Sequence, residues 1–214
     1  MNNIFQKNIN ALAQKNETLA RELLTYIPTD VPELKQENGA YNLFYKNQYL
    51  HNPINPLGEA QGIFAMAENS PVAIHLVYGL GLGYLFQVAS LNSQGTVILY
   101  EPDLNIMKIA FTLVDFSNDI LKKNVYITNN LEQVSEYIYQ KSNTKNSPLL
   151  LSTTSYRELN RENFASLVNE LQQMIGRFGL DLKYTKERFW GLIKNLIKNL
   201  PNLVHETPIA EFQN

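Results

Sequence analysis

The segment from Pro71 to Asp103 constrains the fold of this chain more than any other. An apolar run, Val72–Tyr78, leads into glycines at positions 79, 81 and 83, and an apolar stretch with helical spacing follows. A second apolar run, Thr96–Tyr100, ends at an acidic residue. A strand, a glycine turn, a helix and a second strand in this order are typical of the opening unit of a nucleotide-binding α/β fold. The segment therefore predicts a Rossmann-like core.

Gly79, Gly81, Gly83 and Glu101 are the candidate cofactor-binding residues of this core. Glycines permit a sharp turn and the close approach of a phosphate or ribose to a helix N-terminus. Position 84 holds Tyr84, whereas the dinucleotide fingerprint requires glycine there. The G-x-G-x-G pattern therefore favours a nucleotide or S-adenosylmethionine-like ligand over a nicotinamide dinucleotide, with Glu101 accepting hydrogen bonds from ribose hydroxyls. An alternative stays open: the glycines serve only a tight turn and close packing.

Two further strands follow the glycine segment. Apolar runs at Val125–Ile127 and Pro148–Ser152 alternate with helical patterns at the spacing of βαβ units. This alternation predicts an α/β fold with a mostly parallel sheet, right-handed crossovers and helices on both faces. Residues 128–130 read TNN and residues 152–154 read STT, so neither strand ends in the acidic residue or Asn-Pro-Pro-Tyr motif expected of a methyltransferase.

The chain divides into three predicted parts. Residues 1–70 contain an amphipathic helix over 2–26 with an interruption near Asn16, a β-hairpin over Tyr41–Leu50, and a helix from about Leu57 to Glu68. Residues 71–160 form the Rossmann-like core. Residues 161–214 form long C-terminal helices, including an aromatic one at Asp181–Leu200.

Other chemical signals in the sequence are sparse. The loop His51–Asn55 is either a ligand-facing surface or a plain connector. The histidines at 51, 75 and 205 are far apart, so no metal site is predicted. His75 is expected to be a satisfied core or sheet-edge residue. No pair of carboxylates and no G-x-S-x-G elbow stands out, so we assign no catalytic residue.

Composition excludes several classes of protein. Hydrophobic residues make up 44% of the chain, enough for a proper core. The net charge of −2, without a basic stripe, argues against a nucleic-acid partner. The sequence contains no cysteine and no apolar run near the roughly 20 residues that span a bilayer. We therefore expect a soluble cytoplasmic protein with no membrane partner.

Four motifs occur in the order VYGLGLGYLFQV, VILYEPD, FTLVDFSNDIL and KYTKERFWGLIKNLIKNLP. Together with the hairpin and the HNPINPLGEA segment, they resemble the N-terminal part of the bacterial motility accessory factor family over Tyr41 to Pro201. The resemblance implies a role in glycosylating flagellin with a nonulosonic acid such as pseudaminic or legionaminic acid. Flagellin and a downstream catalytic domain are the implied partners.

The resemblance also implies what this chain does not do. The family's catalytic domain opens with a strand and a Gly-Pro-Ser-Leu loop, and this sequence has no such loop. We therefore expect an accessory domain that transfers no sugar by itself, although the parent protein would be a glycosyltransferase. Two alternatives stay open: an S-adenosylmethionine-dependent methyltransferase, and an interaction module that uses Phe189 and Trp190 of the C-terminal helix.

Overall fold

The computed structural model describes residues 3–142 and 148–174. The helices are α1 (Asn3–Ala13), α2 (Glu17–Thr25), α3 (Pro56–Ala65), α4 (Tyr84–Asn92), α5 (Leu104–Leu113), α6 (Ser117–Ile120), α7 (Leu131–Lys141) and α8 (Thr154–Leu159). The strands are β1 (Glu33–Glu37), β2 (Ala40–Tyr45), β3 (Gln48–Tyr49), β4 (Ile74–Tyr78), β5 (Thr96–Tyr100), β6 (Val125–Thr128) and β7 (Pro148–Leu151). Residues 161–174 are also helical.

The glycine segment forms the centre of a four-stranded parallel sheet with the order β6-β5-β4-β7. Ile74 of β4 lies opposite Thr96 on one side and Pro148 on the other. If β4, β5, β6 and β7 are counted as strands 1 to 4, the order across the sheet is 3-2-1-4. This order begins a doubly wound nucleotide-binding sheet. The predicted Rossmann-like α/β fold is confirmed.

Helices cover both faces of this sheet. The chain passes from β4 through β5 to β6 and then returns across the sheet to β7. Because such crossovers are right-handed, α4, α5 and α6 lie on one face and α7 on the other. The first face buries the side chains of Val77, Phe86, Val97, Leu99, Met107, Phe111 and Phe116. The second face carries ring contacts of Tyr78 with Tyr100 and Phe164, and of Tyr126 with Tyr137.

A small antiparallel sheet precedes the core, in the order β1-β2-β3. The predicted hairpin forms from β2 and β3, and Lys46 and Asn47 adopt the positive φ angles, 48° and 64°, that a tight turn requires. The third strand, β1, was not predicted. It is mostly exposed and reads ELKQE, without the apolar alternation that marks a half-buried strand.

The amphipathic segment at the N-terminus is interrupted at the predicted position. It forms α1 and α2, and Asn16 caps α2 by accepting a hydrogen bond from the Leu19 amide. Helix α1 docks on α5 and α6. The buried Asn8 side chain joins these elements because it donates to the carbonyls of Phe111 and Val114 and accepts from the Phe116 amide.

Met1–Leu171 form one compact unit, and a second unit begins at Gln172. The predicted helix at Asp181–Leu200, with Phe189 and Trp190, lies outside the described residues. The division at residues 70 and 160 stays a prediction. Within the described ranges, no helix is long and apolar enough to cross a bilayer.

Candidate functional site

The glycine turn between β4 and α4 is the strongest candidate site. Gly79, Gly81 and Gly83 have φ angles of 94°, 52° and 85°, a region that L side chains rarely adopt. A Cβ atom at these three positions would overlap the side chains of Tyr156, His51 and Phe116, respectively. All three glycines are therefore required by backbone conformation and by close packing against other side chains of this chain.

Glu101, the acid that directly follows β5, contacts the glycine turn and is 0% exposed. Its Oε2 atom accepts hydrogen bonds from the Leu80 amide at 2.8 Å and from the Tyr156 hydroxyl at 2.8 Å. Its Oε1 atom accepts from the Asp103 amide at 2.9 Å. Both carboxylate oxygens thus have donors from the protein itself.

Tyr156 occupies the position where open α/β sheets bind their ligands. It belongs to α8, which follows β7 and is capped by the Thr153 side chain. Its hydroxyl donates to Glu101 and accepts from the Gly81 amide at 2.6 Å. The strand order reverses between β4 and β7, and ligands of such folds lie in the crevice outside the carboxyl ends of these strands. Here a phenol of the chain lies in that crevice, bonded to the turn and to the acid.

His51 contacts the same turn from the hairpin side. Its Nε2 atom accepts a hydrogen bond from the Leu82 amide at 3.0 Å. Asn42 holds its backbone through bonds to both the His51 amide and carbonyl. Because Nε2 is the acceptor, Nδ1 of the neutral ring carries the proton, and this atom is buried without a partner among the described residues.

Burial controls the charges of this site. It raises the pKa of Glu101 to about 7, against the lowering effect of the three hydrogen bonds that the carboxylate accepts. It lowers the pKa of His51 to about 4, so the imidazole is neutral near pH 7. Burial and the neighbouring Glu101 raise the pKa of Tyr156. Near neutral pH the site therefore contains a neutral imidazole, a phenol and a carboxyl group close to its midpoint of titration.

The hairpin is fixed beside the carboxyl end of β5. The Tyr45 hydroxyl donates to Asp103 Oδ2 at 3.0 Å, and Lys46 Nζ lies 3.8 Å from the same oxygen. Asp103 also caps α5 by accepting from the Asn105 amide. These contacts hold the His51 loop against the glycine turn.

The structure brings the four predicted residues together, and it adds two that complete the site. His51 comes from the loop for which a ligand-facing role and a connector role were both left open, and its side chain points to the turn rather than to solvent. Tyr156 was not singled out, since it lies 55 positions from Glu101 and carries no motif. Whether the four residues bind a ligand stays a prediction.

The remaining candidates are structural or outside the site. His75 is buried, and its ring nitrogens pair with the Glu68 carbonyl and the Ser93 hydroxyl, as expected of a satisfied core histidine. Three charged residues that follow β7, Arg157, Glu158 and Arg161, are exposed. In the described part of the chain, no group of three or more histidine, aspartate or glutamate side chains is placed to hold a metal ion.

The strand order and the glycine turn define a Rossmann-like α/β domain. Among solved structures, the chain is similar to a MAf glycosyltransferase from Magnetospirillum magneticum AMB-1, with a TM-score of 0.51 and 12% identity. The match covers 79% of this chain and 36% of that protein, so this chain corresponds to about a third of its length. At this identity the likeness concerns the fold. No family model matches the sequence, and no curated protein matches it.

Proposed function

We propose that this chain is a non-catalytic accessory domain of a motility-accessory-factor-like protein that glycosylates flagellin with a nonulosonic acid. The fold shared with the MAf glycosyltransferase is the observation that carries this proposal. The order of motifs from the hairpin to the C-terminal helix supports it. Flagellin and the catalytic part of the protein are the proposed partners.

The filled crevice supports the non-catalytic part of the proposal. A domain that bound a cofactor at the turn would need a free acid and room for a ribose. Here Tyr156 and His51 fill the space above the glycines, and Glu101 has three internal donors. The turn therefore has a structural role, because its packing and hydrogen bonds connect β4 to the hairpin and to α8.

Deleting the reading frame in the source bacterium tests the proposal. We expect flagellin to lose the mass increments of its sugars, measured by mass spectrometry of the intact protein, and wild-type complementation to restore them. Complementation with Glu101→Gln is expected to restore them too, because glutamine keeps the size and one acceptor of the side chain. Unchanged flagellin mass in the deletion strain would refute the role in glycosylation.

A second candidate is a nucleotide or S-adenosylmethionine-like ligand held by Gly79, Gly81, Gly83 and Glu101. The sheet order and the position of Glu101 at the carboxyl end of β5 favour it. Such a ligand would have to displace the Tyr156 hydroxyl from Glu101. Calorimetry with S-adenosylmethionine separates the two candidates: the accessory role predicts no heat of binding at millimolar ligand, and saturable heat that Glu101→Gln abolishes would favour the cofactor.

A further inference from the structure

A second depression lies at the carboxyl end of β6, away from the glycine turn. It has a volume of about 230 Å³ and is lined by Asn16, Thr18, Leu19, Glu22, Asn129, Asn130 and Gln133. Pockets for drug-sized ligands measure roughly 300–1,000 Å³, so this one suits a single small ring. It lies at the carboxyl edge of the sheet, beside the end strand β6 rather than at the switch point between β4 and β7.

Two of the residues that line the pocket are buried. Leu19 is 1% exposed and Asn16 is 8% exposed. Asn16 is fixed because its amide donates to the Ile127 carbonyl and to Gln133 Oε1, while its oxygen caps α2. Gln133 Oε1 also accepts from the Thr128 hydroxyl at 2.6 Å. These bonds orient the amide of Gln133 before any ligand arrives.

Four polar groups around the pocket keep unused hydrogen-bonding capacity. The Asn130 Oδ1 atom caps α7, and the Gln133 Oε1 atom accepts from Asn16 and Thr128. The side-chain nitrogens, Asn130 Nδ2 and Gln133 Nε2, have no partner among the described residues. Asn129 Nδ2 donates to Glu22 Oε2 at 3.1 Å, which leaves Asn129 Oδ1 and Glu22 Oε1 as acceptors. The residues that line the pocket thus carry two donors and two acceptors without a partner among the described residues.

We propose that this pocket binds a neutral, hydroxyl-rich ring such as a monosaccharide or cyclic polyol. Each hydroxyl both donates and accepts, which matches a mixed set of amide and carboxylate groups. Among the described residues, neither lysine nor arginine lines the pocket, and the Glu22 carboxylate disfavours an anionic ligand. The proposal depends on the pocket alone and stands apart from the role in glycosylation.

Nuclear magnetic resonance of the isotope-labelled chain tests the site, with glucose and myo-inositol as neutral probes and glucuronate as the matched acidic probe. We expect saturable shifts of the Asn130 and Gln133 side-chain amides at millimolar glucose or inositol, and about tenfold weaker binding of glucuronate. No saturable shift at these amides with either neutral probe would overturn the proposal, as would equal binding of glucuronate.

Two conservative variants locate the binding. Asn130→Asp keeps the oxygen that caps α7, and Gln133→Glu keeps the acceptor for Thr128, but each removes one donor and adds a negative charge. Each should weaken glucose binding about tenfold. Asn69→Asp is the matched control, because it keeps its acceptor for the Gln94 amide and does not line the pocket. Equal affinity in all three variants would place the binding elsewhere and refute this site.

Discussion

At Glu101, burial and hydrogen bonding act on one carboxyl group in opposite directions. Three donors favour the carboxylate, whereas removal from water favours the protonated acid, and the balance raises its pKa from 4.5 to about 7. The folded protein therefore holds a proton that the unfolded chain releases. The contribution of this group to stability is fully present below pH 4.5 and is lost as the pH rises through about 7.

We predict that Glu101→Gln removes this pH dependence. The free energy of unfolding of the variant, relative to the wild type, should increase by about 3 kcal/mol between mildly acidic and mildly alkaline pH, since each pKa unit is worth about 1.4 kcal/mol. Urea denaturation across this pH range measures the difference. A constant difference between the two proteins would contradict a raised pKa of Glu101.

Taking the difference between variant and wild type is essential because His51 titrates in the opposite sense. Burial lowers its pKa to about 4, so its contribution to stability is present at neutral pH and lost as the solution is acidified. In the wild type the two slopes partly cancel. Glu101→Gln should therefore show the slope of His51 more clearly, with stability that rises from acidic to neutral pH.

The residues of the site differ in how far the sequence could predict them. Gly79, Gly81 and Gly83 with Glu101 could be found because their spacing along the chain reflects one local unit, a strand, a turn, a helix and a strand. Tyr156 belongs to a helix after the fourth strand, and nothing in its local sequence indicates that its hydroxyl reaches Glu101. Contacts of this kind depend on tertiary packing, which local patterns do not encode.

At the scale of elements, the glycine turn depends on space as well as on φ. Gly83 precedes α4 with a φ of 85°, and a methyl group there would overlap the ring of Phe116, which is 0% exposed. We predict that Gly83→Ala lowers the free energy of unfolding by about 3 kcal/mol, from overpacking and backbone strain together. Chemical denaturation measures this loss.

Gly62 provides the matched control for this substitution. It lies within α3, and a Cβ atom there would meet nothing within 4 Å. Gly62→Ala should raise the free energy of unfolding by about 0.5–1 kcal/mol, because alanine is the better helix former. An equal loss in both variants would show that the contact with Phe116 does not determine the cost.

The unpredicted strand β1 has a separate explanation. Its charged sequence carries no strand pattern, but Asn38-Gly39 follows it directly, and both residues have positive φ angles. Asn-Gly between two extended runs is a strong hairpin signal. The Asn-Gly turn therefore indicates the strand, although the composition of the strand itself does not.

At the scale of the whole molecule, the first 70 residues are tied to the sheet at several points. Helix α1 packs on α5 and α6, and α3 packs on α4. The hairpin bonds to Asp103 through Tyr45, and His51 bonds to the glycine turn. These contacts favour a single cooperative transition over independent unfolding of residues 1–70, which the predicted domain boundary would allow.

Asn8 is the residue that tests this coupling. Its buried side chain satisfies two carbonyls and one amide at the end of α5 and the start of α6, so Asn8→Ala leaves three backbone groups without that partner. We predict a loss of about 3 kcal/mol in the free energy of unfolding. Asn10→Ala, an exposed position on the same helix, should change the free energy of unfolding by less than about 0.5 kcal/mol.

Far-ultraviolet circular dichroism reports the helices, and near-ultraviolet circular dichroism reports the buried tyrosines. Both signals should give one coincident transition in every variant. A transition in Asn8→Ala that leaves the signal of the buried tyrosines unchanged would contradict this coupling.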